Sequence, residues 1–415
     1  MKKSEIGILH YSAAPVVGGV EAVIESHARL FRRFGYPVTI IAGRGAQEAQ
    51  PEGARLILLP ELDTQHPETL EIGARLNDGQ VPLNFDSVRA RIRAALQPVL
   101  AKLDVLIVHN VFTKHFNIPL TAALFDLLED GTIRRCISWV HDITWVSPNS
   151  RRFVYEGQPW DLLRKHHPRI IQVAISDQRR EMLAELMNLP PEAVAVVQNG
   201  IDPSLWYGWT DATARLVERF DLLNAAPLLL MPVRVTQAKN VEFAAEVLAE
   251  LRAMGCQPKL VVTGPPDPHS DGGLAYYQGL LDLRANLGLE GALHFAYEAG
   301  GPENPQMLSQ AEVASLMRMS DIVFMPSHRE GFGIPVLEAG LMGIPVTAST
   351  AVPAAVETGS CCLTLFEPGE SARIVAARML ETLESSPVYS YRRQVRQEFT
   401  WEQIFRGKIE PLVEG

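Results

Sequence analysis

Short apolar runs alternate with longer amphipathic segments along almost the whole chain. Ile6-Gly-Ile-Leu and Asp321-Ile-Val-Phe-Met-Pro are typical apolar runs. Continuous apolar runs of this length are typical of strands buried on both faces, and apolar residues recurring every three or four positions are typical of helices. The alternation therefore predicts βα units and parallel sheets.

The same pattern predicts two domains of similar make-up. In residues 1–205 it predicts strands over 5–9, 38–42, 55–59, 104–108, 134–140, 170–175 and 194–198, and helices over 20–34, 85–101, 116–128 and 178–187. In residues 206–390 it predicts strands over 227–232, 259–263, 292–295, 321–326 and 345–348, and helices over 240–253, 275–287, 310–319, 334–342 and 370–385. Asp202 to Ala226 has little periodicity and is interpreted as the connection, and residues 391–415 are expected to be helical. We expect an α/β protein with two Rossmann-like domains facing each other across a cleft, with ligands at the carboxyl ends of the strands.

Composition narrows the class of protein. The chain has 415 residues, 47% of them hydrophobic and 21% charged, which is typical of a globular enzyme of two domains. Its net charge of −10, most of it from residues 206–415, disfavours a nucleic acid or an anionic membrane as partner. The four cysteines form no CxxC pattern, and the first apolar run is too short for a signal peptide. We therefore expect a cytoplasmic protein.

The stretch from Ser327 to Thr350 contains the clearest candidate chemistry. A polar, glycine-rich loop follows a buried strand, and a helix is expected to begin at Ile334 with Pro335 in its first turn. Free backbone amides at a helix start bind anions, and glycines allow a ligand to approach the backbone closely. Glu330 and Glu338 flank these amides and can accept hydrogen bonds from sugar hydroxyls.

The string from Glu330 to Ala339, Glu-Gly-Phe-Gly-Ile-Pro-Val-Leu-Glu-Ala, closely resembles the Glu-x7-Glu signature of retaining glycosyltransferases of the GT-B fold, family 4. The resemblance implies that Glu330 binds the transferred sugar and that Glu338 binds the ribose of a sugar nucleotide. It also implies that the amides of Gly331, Phe332, Gly333 and Ile334 bind its phosphates.

Other motifs of the second domain extend this resemblance. Arg234 and Lys239 have the spacing of the family's two cations on the donor diphosphate, where they stabilise the charge of the leaving group. Gly264 resembles the glycine turn after the second strand. Tyr297 lies where the family builds the base pocket, although Tyr297-Glu298 replaces a glycine that the family often has. The run from Pro265 to Gly273, with His269, has no family counterpart.

The first domain and the tail carry weaker matches. Gly19, in Gly18-Gly-Val-Glu, resembles the family's N-terminal glycine loop beside the donor phosphates and the acceptor. His141, in Trp139-Val-His-Asp, resembles the histidine that orients the transferred sugar. Arg44, His109 and Lys114 follow predicted strands and are candidates for binding a carboxylate or phosphate of the acceptor, although ordinary loop polarity explains them equally well. Trp401-Glu402 resembles a common family ending, in which the last helix crosses back to the first domain.

The resemblance implies a retaining hexosyltransferase that uses a UDP- or GDP-sugar and a small soluble acceptor, such as a glycerate derivative or a sugar. The sequence has no Asp-x-Asp pair, and the histidines match no metal-ligand spacing, so we expect no metal cofactor. Three alternatives stay open at this point. They are a sugar-nucleotide 2-epimerase, a transferase acting on a lipid or polysaccharide, and a non-catalytic protein that binds sugar nucleotides.

Overall fold

The computed structural model describes residues 3–266, 273–300 and 305–415, and the chain divides into two compact units. One unit comprises Met1–Ile201 together with Trp401–Gly415, and the other comprises Asp202–Thr400. His269 and the centre of the run around it lie outside the described residues.

The first unit is built on a seven-stranded sheet. Its strands are β1 (Ile6–Leu9), β2 (Val38–Ala42), β3 (Arg55–Leu58), β4 (Val105–His109), β5 (Cys136–Val140), β6 (Ile170–Ala174) and β7 (Val194–Val196). They pair in the order β3-β2-β1-β4-β5-β6-β7, and every recorded pairing is parallel. Its helices are α1 (Gly19–Arg33), α2 (Pro67–Asn77), α3 (Phe85–Leu100), α4 (Ile118–Glu129) and α5 (Asp177–Met187).

The inner strands of the first sheet are buried on both faces, whereas the edge strand β3 is partly exposed. Ile6 and Ile8 of β1 pack into one apolar cluster with Phe31, and Leu9 packs into a second cluster with Leu106. Successive side chains of a strand point to opposite faces, so a strand with helices on both sides must be apolar throughout. This explains why the apolar runs of the sequence locate the strands so well.

The second unit contains a six-stranded sheet. Its strands are β8 (Leu228–Met231), β9 (Lys259–Val262), β10 (Leu293–Phe295), β11 (Ile322–Met325), β12 (Val346–Ser349) and β13 (Thr364–Phe366). The order is β10-β9-β8-β11-β12-β13, again with parallel pairings. Its helices are α6 (Pro203–Tyr207), α7 (Asp211–Arg219), α8 (Val241–Ala253), α9 (Gly273–Asn286), α10 (Gln310–Met319), α11 (Ile334–Met342), α12 (Pro353–Gly359), α13 (Ala372–Glu384) and α14 (Pro387–Glu398).

The boundaries of the units differ from those expected. The prediction placed them after residue 205 and after residue 390. Helix α14 nevertheless belongs to the second unit, because the buried guanidinium of Arg396 donates to both carboxylate oxygens of Asp321, at 2.8 and 3.1 Å. The stretch from Asp202 to Ala226 is also not a plain connection, because it forms α6 and α7 and buries Leu216 and Val217.

The last fifteen residues pack on the first unit. They form α15 (Trp401–Ile404), a π-helical turn over Phe405–Ile409, and α16 (Glu410–Glu414). Phe405 is fully buried, with its ring 5.0 Å from that of Phe31. Lys3 donates to Glu410 at 3.0 Å and to Glu414 at 2.6 Å. In the part of the chain that the structure describes, no helix combines the length and the apolar character needed to cross a membrane.

Candidate functional site

The strand order of the second sheet reverses between β8 and β11. Strands β9 and β10 lie on one side of β8, and β11, β12 and β13 lie on the other side. The loops after two such strands leave a crevice at the carboxyl edge, where parallel α/β sheets bind their ligands. The predicted donor residues Arg234 and Lys239 follow β8, and Glu330 follows β11.

Lys239 and Glu330 meet at this reversal. The Lys239 ammonium donates to Oε2 of Glu330 at 2.6 Å, and the Ser327 hydroxyl donates to the same oxygen at 3.3 Å. The two charged side chains are 19% and 15% exposed, so the pair is partly desolvated but open to a ligand. An ammonium has three donors, so Lys239 can hold Glu330 and an anion together.

Two contacts between loops hold this pair in place. Asn240 has left-handed backbone geometry (φ 53°), and its side-chain oxygen caps α8 by accepting from the Phe243 amide at 3.3 Å. Its side-chain nitrogen donates to the Pro326 carbonyl at 3.2 Å, and the His328 amide donates to the Ala238 carbonyl at 2.9 Å. The loop after β8 is thereby tied to the loop after β11. The signal for Asn240 in the sequence is its place before an apolar helix, where asparagine is a favoured cap.

Arg234 and Gly264 are brought together by the loops after β8 and β9. A Cβ atom at Gly264 would lie 2.5 Å from the Val233 carbonyl and 2.8 Å from Cα of Arg234, so only glycine fits there. The Arg234 side chain is exposed, and no hydrogen bond or ion pair is recorded for it among the described residues. Its guanidinium is therefore available for bidentate binding of an anion.

Helix α11 begins where the sequence predicted. Gly333 caps it with a left-handed backbone (φ 100°), and a Cβ atom there would lie 2.6 Å from Cγ1 of Val352. Gly331 borders open space, with nothing within 4 Å of a Cβ atom. Phe332 and Ile334 are exposed. Gly331, Phe332 and Ile334 at this helix start are thus exposed, whereas Gly333 is buried.

Two residues predicted to bind the sugar nucleotide have no recorded contact with the pair of Lys239 and Glu330. Glu338 is half-buried on α11, with no recorded contact to Glu330. Tyr297 follows β10, two strands away from β8, and its ring lies 5.9 Å from that of Tyr277. The Glu298 carboxylate is paired with Arg284 at 2.7 Å. The described contacts do not join Tyr297 to Lys239.

The first sheet has its own reversal, between β1 and β4, and histidines gather there. Nδ1 of His109, the last residue of β4, lies 3.1 Å from Nε2 of His141, just after β5. Nδ1 of His10, just after β1, lies 2.8 Å from the His109 carbonyl. The ring of His27, on α1, lies 4.5 Å from that of Trp139 and 5.3 Å from that of His109. No sequence motif points to His10 or His27, whose only signal is a polar residue in an otherwise apolar environment.

Burial keeps these imidazoles neutral. It lowers the pKa of His27 to about 3, with a smaller contribution from His141. Burial, followed by repulsion from His10, lowers the pKa of His141 to about 4, although Asp142 and Glu21 oppose this. The pKa of His109 is lowered well below its ordinary value, by burial and then by the neighbouring imidazoles. At neutral pH the cluster therefore offers neutral hydrogen-bonding groups and no cations.

His109, a predicted candidate for binding the acceptor, is not exposed to solvent. Its side chain is fully buried and stacks on Trp139, with ring centroids 5.7 Å apart. A neutral, enclosed imidazole cannot bind a carboxylate or phosphate from solution. The neighbouring Asn110 has a structural role, because its side-chain oxygen accepts from the backbone amides of His141 at 3.1 Å and Asp142 at 2.9 Å.

Lys114 lies near a second cation, Arg179, to which no sequence motif points. Its side chain is only 9% exposed, and its ammonium lies 4.8 Å above the ring of Phe116. Burial lowers the pKa of Lys114. The charge of Asp142 opposes this shift, and the charge of Arg179 adds to it. Arg179, in the first turn of α5, pairs with Asp142 at 3.4 Å. Lys114, Asp142 and Arg179 thus follow the adjacent strands β4, β5 and β6.

The other predicted residues of the first unit are more exposed. Arg44 pairs with Asp63, with 3.5 Å between Nε and Oδ1. Gly19 is the first residue of α1 and borders open space, whereas a Cβ atom at Gly18 would lie 2.1 Å from Oε2 of Glu21. Oε1 of Glu21 accepts from the Ser12 hydroxyl at 2.6 Å. Within the described ranges, no three His, Cys, Asp or Glu side chains are grouped so as to hold a metal ion.

Two family models match the chain. A model described as glycosyl transferases group 1 matches residues 217–398, and one described as glycosyltransferase family 4 matches residues 17–205. The two ranges do not overlap, and each falls largely within one compact unit.

Individual proteins show the same relationship. The D-inositol 3-phosphate glycosyltransferases of Stackebrandtia nassauensis and Kineococcus radiotolerans are 30% and 32% identical over 181 and 184 residues. Each alignment covers 43% of this chain, and they cover 38% and 39% of those relatives, well under two thirds of their length.

Solved structures match at lower identity. Anabaena Alr3699/HepE in complex with UDP is 19% identical, with 98% of this chain and 99% of that chain covered, at a TM-score of 0.36. A glycosyltransferase from Rickettsia africae is 17% identical, with 99% and 98% covered, at a TM-score of 0.38. At such TM-scores these likenesses do not decide the fold, which rests on the order of the strands.

Proposed function

Because this chain belongs to the glycosyltransferases, with its two units matched by the group 1 and family 4 models, we propose that it transfers a hexose from a nucleotide-diphosphate sugar to a small anionic acceptor. The second unit binds the donor and the first unit binds the acceptor. Transfer proceeds with retention of configuration and without a metal ion.

The ion pair between Lys239 and Glu330 is the observation that carries this proposal. It joins a cation for the diphosphate to a carboxylate for the sugar, 2.6 Å apart, at the reversal of the strand order. In the proposed complex the diphosphate lies against Lys239 and Arg234, and the sugar hydroxyls donate to Glu330. Glu338 accepts from the ribose hydroxyls, the amides from Gly331 to Ile334 donate to phosphate oxygens, and the base lies near Tyr297.

The leaving group explains why cations are needed. Negative charge grows on the diphosphate as its bond to the sugar breaks, and fixed cations stabilise that charge in the transition state. Arg234 and Lys239 supply the charge that a divalent ion supplies in enzymes that use a metal. A front-face route follows, in which the acceptor hydroxyl attacks the face that the diphosphate leaves and a phosphate oxygen takes the proton.

The acceptor is proposed to carry a phosphate or carboxylate. Lys114 is nearly enclosed, and no carboxylate is recorded within ion-pair distance of it among the described residues. Its ammonium lies over the ring of Phe116, and an anionic acceptor would give it an ion-pair partner, with Arg179 beside it and His141 on the transferred sugar. The names of the relatives make inositol 3-phosphate one acceptor to test, together with glycerate derivatives and free sugars.

A thermal-shift screen against UDP-, GDP- and ADP-sugars tests the donor assignment, because a ligand that binds the folded state raises its melting temperature by mass action. The true donor is then incubated with the acceptor panel, with and without EDTA. We expect a glycosylated product with the anomeric configuration of the donor, at a rate that EDTA does not change.

Incubation with the sugar nucleotide alone separates the competing activities. A 2-epimerase would convert the donor to its epimer, which would defeat the proposal, whereas slow hydrolysis alone would support it. Product formed only on a lipid or polysaccharide would remove the small acceptor from the proposal. Four free cysteines agree with the reducing cytoplasm that we propose as its location.

A further inference from the structure

The contact between His109 and His141 requires one of the two rings to donate. Nδ1 of His109 and Nε2 of His141 lie 3.1 Å apart, and a neutral imidazole has one N–H and one bare nitrogen. Either His109 donates from Nδ1, or His141 donates from Nε2. The first arrangement leaves the proton of His141 on Nδ1, and the second leaves Nδ1 bare.

The other nitrogen of His109 separates the two arrangements. Nε2 of His109 is buried and has no hydrogen-bond partner among the described residues. If His141 donated, His109 would carry its own proton on this nitrogen, as a buried N–H without an acceptor. Among buried backbone groups, orphaned N–H groups are rarer than under-satisfied acceptors, and the same preference applied to this ring favours donation from Nδ1 of His109.

The solvent-facing nitrogen of His141, Nδ1, is compatible with both arrangements. Nδ1 of His141 has no recorded partner in the described parts of the chain, and it is not among the side-chain atoms sealed from solvent without a partner. Water or a ligand can therefore satisfy this nitrogen whether or not it carries a proton. The choice is made on the buried side, by His109.

The surroundings keep the pair of His109 and His141 uncharged. His109 is fully buried between His27, His141 and Trp139. Asp142 and Glu21 are the acidic groups near His141, and burial together with the neighbouring His10 opposes them. One proton beyond the single N–H of each ring would put a cation in this enclosure, so the neutral pair with one shared hydrogen bond is the stable state.

His10 fixes the end of the strand that carries His109. A carbonyl oxygen only accepts, so Nδ1 of His10 carries the proton in its 2.8 Å contact with the His109 carbonyl. Its other nitrogen lies 4.0 Å from Oε1 of Glu21, which is too long for a hydrogen bond. His10 is therefore a neutral hydrogen-bond donor to the backbone carbonyl of His109.

We propose that His109 is a positioning residue that holds His141 as its Nδ1–H tautomer. His141 then presents a hydrogen-bond donor to the bound sugar, and its lone pair on Nε2 is occupied by His109. The group that His141 contacts is a hydrogen-bond acceptor, such as a hydroxyl oxygen of the transferred hexose. With both ring nitrogens engaged in this way, His141 cannot take the proton of the attacking hydroxyl. This inference rests on the proposed function, in which His141 contacts the sugar.

The tautomer can be measured without activity. The protein has 11 histidines, and two-bond ¹H–¹⁵N correlation spectra of protein labelled with [¹⁵N]histidine distinguish the two neutral tautomers of each ring. Comparison with H141N assigns the His141 signals. We expect the Nδ1–H form in the full-length protein and a mixture of tautomers in H109L. An Nε2–H form of His141 in the unsubstituted protein would overturn the inference.

Kinetics then compare two substitutions of His109. Leucine removes the donor, whereas the side-chain amide of asparagine can place an N–H near the position of Nδ1. We expect H109L to lower kcat about 10-fold, the effect of one hydrogen bond, with little change in the KM of the sugar nucleotide, and H109N to recover most of that loss. Equal losses in both variants would contradict a role through the donor.

A double-mutant cycle tests whether His109 acts through His141. In an H141A background, H109L should cause no further loss of kcat, because the ring it positions is gone. Multiplying losses would overturn the inference. H167L is the matched control, because His167 is also buried but lies before β6, at the other edge of the sheet, where it accepts from the Arg169 amide. Its kcat should stay unchanged.

Failure of the proposed function would look different. Absence of transfer with every donor and acceptor would defeat the glycosyltransferase activity proposed here. The tautomer of His141 in the same labelled samples would still support or overturn the role of His109.

Discussion

The two units place opposite kinds of chemistry at the carboxyl edges of similar parallel sheets. In the second unit the reversal of strand order carries a charged pair, Lys239 and Glu330, with Arg234 exposed nearby. In the first unit it carries neutral imidazoles, and His109 and His27 are fully buried. The fold is shared, so the difference lies in the side chains that follow the strands.

The difference teaches what each region can do with a ligand. A partly exposed ion pair contributes little to stability, but it can exchange or share its partner with an incoming anion. Burial makes protonation of an imidazole unfavourable, so these rings can orient a neutral group by hydrogen bonding. We therefore expect the second unit to respond to changes of charge and the first unit to respond to changes of hydrogen-bond geometry.

The largest expected effect comes from removing the cation of the charged pair. Lys239→Met should lower kcat/KM about 100-fold, since a charge-assisted hydrogen bond to the diphosphate is lost and Glu330 loses its partner. Steady-state kinetics with the true donor would measure this. Lys259→Met is the matched control, because Lys259 is similarly enclosed and pairs with Asp221 at 3.0 Å, but at the start of β9. Full turnover in K239M would remove the donor assignment.

Lys114 tests whether charge also matters in the first unit. Lys114→Met should raise the KM of an anionic acceptor about 30-fold, since a hydrogen bond to a charged group contributes about 2 kcal/mol. The KM of the donor and the turnover of a neutral acceptor should change little. Lys165→Met is the control, because Lys165 lies 4.9 Å above the ring of Phe125 in a similar geometry. An unchanged acceptor KM would leave the first unit without its anion site.

The buried imidazoles should make the first unit sensitive to acid. The pKa of His27 is lowered to about 3 in the folded state, so the unfolded chain binds more protons between that value and the ordinary histidine pKa. Stability should therefore fall as the pH is lowered from 7 to 5, by about 2 kcal/mol from His27 alone.

His27→Phe should remove that part of the pH dependence. Urea unfolding at pH 7 and pH 5, followed by tryptophan fluorescence, measures the difference, because the Trp139 ring lies 4.5 Å from that of His27. An identical pH dependence in the variant and in the unsubstituted protein would show that His27 does not stay neutral by burial.

The smallest expected effect on stability comes from Gly19. Gly19→Ala should change the free energy of unfolding by less than about 0.5 kcal/mol, because a Cβ atom there meets nothing within 4 Å. If a ligand approaches this backbone, as the family resemblance implies, activity should nevertheless fall. Gly264→Ala is the contrast, since its Cβ atom would lie 2.5 Å from the Val233 carbonyl and should destabilise the second unit. Full activity in G19A would take Gly19 out of the site.

Much of the fold could be predicted because buried parallel strands are apolar throughout. The predicted strand over 38–42 coincides with β2, and the predicted helix over 334–342 coincides with α11. The misses had two causes. Strand β13 has three residues and is only partly buried, whereas α7 follows a cap, Thr210, and has an amphipathic pattern, burying Leu216 and Val217, that the prediction overlooked. Short elements gain their stability from packing, which periodicity does not report.

The sequence by itself determined the βα rhythm and the start of α11 at Ile334, because these depend on local rules of periodicity, capping and glycine geometry. The candidate residues Arg234, Lys239 and Glu330 came from the resemblance of their motifs to the family. Only the tertiary structure decided that Lys239 contacts Glu330 and that Asn240 ties their loops together. It also decided that His109 is enclosed, and that it touches His141 from the neighbouring strand. Parallel strands bring together residues that are distant in the chain, and burial sets whether a histidine carries charge, so neither can be read from local pattern.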